Sequence, residues 1–243
     1  MPKNAREKEL ARAAAKREQE KQAARRKKTV TKAVAAIVVI ALVAVGASLL
    51  LGGRKTKTAN EPTAGPPTAG PPPMTIDPNK SYTGVLDTTF GQMKIALSTK
   101  TAPIAVNNFV YLADSGKYDG VLFHRIANSL SVIQAGDLSC KAPSPTCGSG
   151  KPGYTFLDEL TGDEKYTQGV VAMANAGPNT NNSQFFIVTG SKAEKLPPNY
   201  AIFGHLADAA SLKVAKTIQS QPVDGETPKT PIVINSAKVD VGR

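Results

Sequence analysis

Nineteen consecutive residues without a charge, Ala33 to Leu51 (AVAAIVVIALVAVGASLLL), constrain this chain more than any other feature. At about 1.5 Å per residue the run reaches roughly 28 Å as a helix, close to the hydrocarbon thickness of a bilayer. It has no polar face, so it fits poorly as a helix packed on a soluble core. A secretory signal peptide would have a short basic start, an apolar run of about 7–15 residues and a small-residue cleavage site. Here the basic region is long, and GGRKTK follows Leu51 with no A-x-A pattern. The pattern predicts one uncleaved transmembrane helix over 33–51.

Charge gives that helix a direction. The first 32 residues hold twelve Lys and Arg against four Glu, which is eight of the chain's net charge of +11. The positive-inside rule puts this end in the cytoplasm and the remainder outside, at the cell membrane. Residues 1–32 are rich in Ala, Lys, Arg, Glu and Gln, which favour helix, but they lack the apolar seam of a coiled coil. A solvated cytoplasmic tail and a contact with anionic headgroups are both open readings. The other 211 residues carry only +3, so no nucleic-acid partner is expected.

Residues 52–80 (GGRKTKTANEPTAGPPTAGPPPMTIDPNK) are dominated by Pro and Gly and have few bulky apolar residues. Such a stretch buries too little surface to fold and reads as a semi-rigid linker. Residues 81–243 form the remaining domain. Short β-like runs recur there: YTGVLDTTFGQMKIAL, GVLFHRI, SVIQAGD, GVVAMAN, SQFFIVTG, YAIFGHL and TPIVINSAKV. Gly, Asn, Asp and Pro punctuate them, the pattern of a closed or sandwiched, mainly β fold. Two helices interrupt it. APIAVNNFVYLADSGKY places Val106, Phe109, Val110 and Leu112 at helical spacing with Gly116 as a stop. DAASLKVAKTIQS aligns Leu212, Ala215 and Ile218 behind Asp208 as an N-cap.

Five motifs follow one another along the domain: F-H-R-I (Phe123 to Ile126), I-Q-A-G-D (Ile133 to Asp137), G-S-G-K-P-G-Y-T-F (Gly148 to Phe156), M-A-N-A-G-P-N-T-N-N-S-Q-F-F-I (Met173 to Ile187) and L-P-P-N-Y-A-I-F-G (Leu196 to Gly204). In sequence and order they resemble the cyclophilin family. The resemblance implies an eight-stranded antiparallel β-barrel closed by two α-helices. It also implies peptidyl-prolyl cis-trans isomerase activity on proline-containing polypeptides. That reaction rotates a bond whose barrier is about 18–20 kcal/mol. No bond is made or broken, so no nucleophile, metal or other cofactor is expected. The site needs a dry hollow for the proline ring and a fixed donor beside the amide.

Carried over residue by residue, the resemblance makes Arg125 the catalytic donor and Gln134 the glutamine that orients it. Phe186, Val132 and Leu196 line the proline pocket. Ala174, Asn175 and Ala176 bind the substrate backbone, and Gln184 adds a polar contact. Tyr200 stands where the family has histidine, Lys195 where cyclosporin-sensitive members have tryptophan, and Leu130 or Ser131 in the region of a second pocket phenylalanine. Phe185 should point away from Phe186 into the core, because strand side chains alternate. His124 and His205 have no metal-ligand spacing around them. Cys140 and Cys147 could form a disulfide or remain two thiols. A monomer is expected. A second function class also stays open: the same barrel holding proline-containing segments of a partner with little turnover.

Overall fold

Buried residues alternate with partly buried ones along the first strand, β1 (Tyr82–Thr88), and with exposed ones along most of β2 (Gly91–Leu97), so one face of each is committed to a core. The structure, a computed structural model, describes residues 70–242. The tail 1–32, the helix read over 33–51 and the linker up to residue 69 lie outside the described residues. Among the described residues no helix is long and apolar enough to cross a membrane.

After β2 come α1 (Pro103–Asp114), β3 (Arg125–Ala127), β4 (Val132–Ala135), β5 (Val170–Met173) and β6 (Phe185–Val188). A 3₁₀ turn (Ser191–Lys195), β7 (Ile202–Leu206), α2 (Ala209–Gln219), a short pair β8 (Val223–Asp224) and β9 (Thr227–Pro228), and β10 (Ile234–Val241) complete the order. Eight strands join one antiparallel sheet in the order β10-β1-β2-β7-β5-β6-β4-β3.

The eight strands and two helices match expectation, but the ring is not laddered all the way round. β10 and β3 do not pair, so the sheet is a curled half-barrel. Single backbone bonds cross the gap instead: Phe123 N to Ile232 O, Ile234 N to Val121 O, and Ile126 N to Glu226 O at 2.7 Å. The run GVLFHRI is strand only at its last two residues. The facing segment carries Pro228 and Pro231, which offer no N–H to a ladder.

The helix termini have identifiable causes, one of them distant in the chain. Pro103 opens α1, where a missing N–H costs nothing, but Ala102 provides no side-chain cap. The Glu159 carboxylate supplies it from a distant loop, accepting from Ile104 N at 2.8 Å and Ala105 N at 2.9 Å. Gly116, at φ +63°, turns the chain out of the helix. Asp208 caps α2 by accepting from Ser211 N, and Ser211 Oγ in turn accepts from Lys94 N of β2.

The stretch read as a linker is not free at its C-terminal end. Asn107 of α1, itself buried, accepts from Thr75 N and Ile76 N through Oδ1 and donates from Nδ2 to Pro72 O and Pro73 O. Ile76 is buried in the core beside it. Composition misses this docking because one side chain grips backbone groups, which carry no residue signature.

The wall formed by β4, β5 and β6 is buried on both faces. Ile133, Ala135, Val171, Met173, Phe185 and Ile187 face the larger cluster with Phe109, Tyr118 and Phe203. Val132, Val170, Ala172, Phe186 and Val188 face a smaller one. Period-two alternation produces this division, with β4, β5 and β6 paired in unbroken register.

Candidate active site

Antiparallel pairing of β3 with β4 sets Arg125 opposite Gln134, and pairing of β4 with β6 sets Gln134 opposite Phe186. The polar residues form a directed chain. Arg125 Nη1 donates to Gln134 Oε1 at 3.1 Å, and Gln134 Nε2 donates to Gln184 Oε1 at 3.1 Å. Gln184 Nε2 then donates to the carbonyls of Gly148 and Gly150 at 3.0 and 3.1 Å. At the other end Arg125 Nε donates to Glu226 Oε2 at 2.6 Å. Three residues named from sequence are thus brought together. Glu226 was not named, and Gly148 and Gly150 belonged to a quoted motif without being given a role.

Beside this row lies the smaller apolar cluster. It contains Val132 and Phe186, with Ala174, Leu196, Tyr200 and Leu130 partly buried against it. The Phe186 ring meets Tyr200 edge-on at 5.4 Å between centroids. Tyr200 is fixed by Tyr166, whose hydroxyl donates to Tyr200 O at 3.0 Å and accepts from Tyr200 N at 2.9 Å. Burial raises the Tyr200 pKa, and the positive charge of Arg125 works against that shift. Leu196 follows the 3₁₀ turn and stays half-exposed; Lys195 points into solvent.

Ala174, Asn175 and Ala176 follow directly on β5, and the chain bends at Ala176. Ala174 N donates to Gln184 O at 2.9 Å, which keeps the run beside the polar row. Asn175 Nδ2 donates to Asn199 O, and Ala176 N donates to Thr180 Oγ1. Among the described residues no hydrogen bond engages the Asn175 backbone N–H or C=O. That pair suits an extended peptide laid alongside.

A family profile described as "Cyclophilin type peptidyl-prolyl cis-trans isomerase/CLD" matches residues 84–239, which span every element of this site. The chain belongs to the cyclophilins. It is similar to peptidyl-prolyl cis-trans isomerase A of Mycobacterium tuberculosis, 39% identical over 183 residues that cover 68% of this chain and 96% of the relative. It is also similar to the crystal structure of a cyclophilin-type peptidyl-prolyl cis-trans isomerase of Cryptosporidium parvum. That match has a TM-score of 0.59 and 31% identity and covers 67% of this chain and 99% of the other. A structure of the Cryptosporidium protein in the presence of the dipeptide Ala-Pro matches with a TM-score of 0.57 and 32% identity, covering 65% and 98%. Membership and these relatives make the chain a peptidyl-prolyl cis-trans isomerase.

In this cyclophilin the loop that receives Gln184 is itself tightly held. Asp137 is fully buried, and its carboxylate accepts from Ser139 N, Ser139 Oγ, Gly148 N and Gly150 N. Burial acts to raise the Asp137 pKa, but the Ser139, Gly150 and Gly148 bonds outweigh it and hold the carboxyl below its ordinary value. Cys140 and Cys147 are joined by a disulfide across the same loop, which resolves the open question about these thiols. Gly136 permits the close approach: a Cβ there would lie 2.3 Å from Ser183 O, and its φ of +92° suits glycine.

His124 packs under this loop. Neither ring nitrogen has a hydrogen-bond partner among the described residues. Desolvation lowers its pKa to about 4, against the attraction of the Asp137 charge. Among the described residues no group of three or more His, Cys, Asp or Glu is placed to hold a metal ion.

Proposed function

We propose that X-Pro rotation takes place on the sheet face between Arg125 and the Phe186–Tyr200 ring pair, with Arg125 as the catalytic residue. The proline ring enters the apolar cluster of Val132, Phe186, Leu196 and Tyr200. The preceding residue lies along Ala174–Ala176 and pairs with the free N–H and C=O of Asn175. Arg125 then presents its unused Nη donors to the amide. A donor fixed beside the twisting amide helps most when the nitrogen is pyramidal and conjugation is lost, so it favours the transition state over either planar form. Gln134 orients Arg125 from one side, and Gln184 links Gln134 to the disulfide loop. The observation that carries this reading is the continuous chain Arg125–Gln134–Gln184 running beside an apolar cluster whose edge, at Leu130, Leu196 and Tyr200, is partly exposed. The Ala-Pro dipeptide in the similar Cryptosporidium structure supports a short proline peptide as ligand.

NMR exchange spectroscopy on an Ala-Pro peptide tests it. Losing one preorganised donor lowers rates by about 10²–10³, so Arg125→Ala should lose nearly all turnover while keeping the wild-type melting temperature. Wild-type turnover in that variant would overturn the assignment.

The same reading makes the enzyme a monomer tethered by a single span over 33–51, acting on extracytoplasmic chains as they fold. The uncharged run, the basic flank and the Cys140–Cys147 bridge support this, since disulfides persist in oxidising compartments. Protease shaving of intact cells should remove the domain and spare the basic tail. Protection of the domain would count against that sidedness.

A further inference from the structure

The geometry points to Glu226 as a positioning residue for Arg125, one that fixes the plane of its guanidinium and so sets the turnover number of the isomerase. This inference rests on Arg125 being the catalytic donor.

The turn that carries Glu226 is rigid for reasons visible in its residues. β8 and β9 are joined by only Gly225 and Glu226, in the sequence D-G-E-T. Gly225 has φ +61° and Glu226 does not share that sign. Glycine at the first central position of a two-residue hairpin is the requirement of a type II′ turn. Pro228 stiffens the returning strand, and Lys229 N donates to Pro222 O to close its base.

Glu226 then engages β3 twice. Its carbonyl accepts from Ile126 N at 2.7 Å, and its carboxylate accepts from Arg125 Nε at 2.6 Å. Backbone and side chain of one turn residue therefore hold two successive residues of the catalytic strand. Arg125 has five N–H donors in a planar fork. Glu226 occupies the one on Nε, and Gln134 occupies one on Nη1. Two anchors on different nitrogens fix a plane, whereas Gln134 alone would leave the head free to swing about that bond. The remaining Nη donors stay available for the substrate amide. The side chain of Arg125 is 29% exposed and that of Glu226 40%, so the pair is reachable by water; its value here is orientation rather than burial of charge.

The test uses the full-length chain, three single variants (Arg125→Ala, Glu226→Ala and Glu226→Gln) and one double variant. A misplaced catalytic group typically costs up to about 100-fold in rate. Glu226→Ala should lower kcat by roughly 10- to 100-fold while KM for the Ala-Pro peptide moves less than about twofold. Glu226→Gln keeps an oxygen that can accept from Nε and should recover most of the loss. The double variant Arg125→Ala/Glu226→Ala should be no slower than Arg125→Ala alone, because a residue acting through Arg125 has nothing left to position. In a ¹⁵N-arginine-labelled sample, the Arg125 Nε–Hε signal should be sharp in the wild type and in Glu226→Gln, and broadened or lost in Glu226→Ala.

Wild-type kcat in Glu226→Ala together with an inactive Arg125→Ala overturns this inference and leaves the assignment of Arg125 standing. Wild-type turnover in Arg125→Ala overturns that assignment instead. An unchanged Nε–Hε signal in Glu226→Ala also overturns the inference. If Glu226→Ala fails to fold, Glu226→Leu takes its place: it keeps side-chain bulk but cannot accept from Nε, so its kcat should fall by a similar factor, and wild-type kcat there overturns the inference.

Discussion

Phe185 and Phe186 stand side by side in β6 and serve opposite faces of the same sheet. Phe185 sits in the larger cluster, where its ring meets Phe109 and Tyr118 edge-on at 5.9 and 5.7 Å. Phe186 sits in the smaller cluster beside the polar row, where its ring meets those of Tyr166 and Tyr200 at 6.2 and 5.4 Å. The first face is closed by α1 and apolar on every side. The second ends in half-exposed Leu130, Leu196 and Tyr200. The difference teaches that one wall can carry stability on one side and turnover on the other, with a single-residue step between them.

The strongest test of that division is to remove each ring in turn. Phe185→Ala should cost about 3–5 kcal/mol in chemical denaturation, as large-to-small core changes do, while the folded fraction keeps near-normal kcat/KM. Phe186→Ala should cost less stability and lower kcat/KM by roughly tenfold or more, through the lost contact with the proline ring. Equal stability losses with equal activities would erase the distinction.

A weaker effect separates the loop beside the active face from the core. The folded-state pKa of His124 is about 4 and its ordinary value is 6.5. Between these values the unfolded chain binds the proton and the folded chain does not. Stability is therefore full above pH 6.5 and falls as pH drops towards 4, by up to about 3 kcal/mol. His205, also lowered by burial, adds in the same direction. Melting curves from pH 7 to 4 should show the decline, and His124→Gln should flatten its slope.

The smallest effect concerns the disulfide. Opening the Cys140–Cys147 loop should reduce stability by roughly 2–3 kcal/mol in the chain-entropy account. Because the Gly148 and Gly150 carbonyls hold Gln184, activity should fall with it, though less than in Arg125→Ala. Denaturation and turnover measured with Cys140→Ser/Cys147→Ser would sharpen how far this loop supports the active face.

Much of this was readable from sequence where the cause is local. Asp208 caps its helix, Gly116 ends the other, and alternation sends Phe185 and Phe186 apart. The row Arg125–Gln134–Gln184 was legible through the family motifs. What escaped depends on groups far apart in the chain. Glu226 meets Arg125 across 101 residues, and no local pattern joins the two. Glu159 reaches Ile104 across 55 residues to cap a helix that has no capping side chain of its own. The unladdered edge between β10 and β3 depends on two prolines opposing a strand-like run, a tertiary pairing that period-two patterning does not report.

The grip of Asn107 on Pro72 to Ile76 has a mechanical side. A pull on the chain from its N-terminal direction reaches these bonds before it reaches β1. The load is thus delivered to α1, which lies across the core, and β1 is spared from being peeled off β2 and β10 one bond at a time. Asn107 acts as a strain relief, like the clamp that keeps tension on a cable away from its connector.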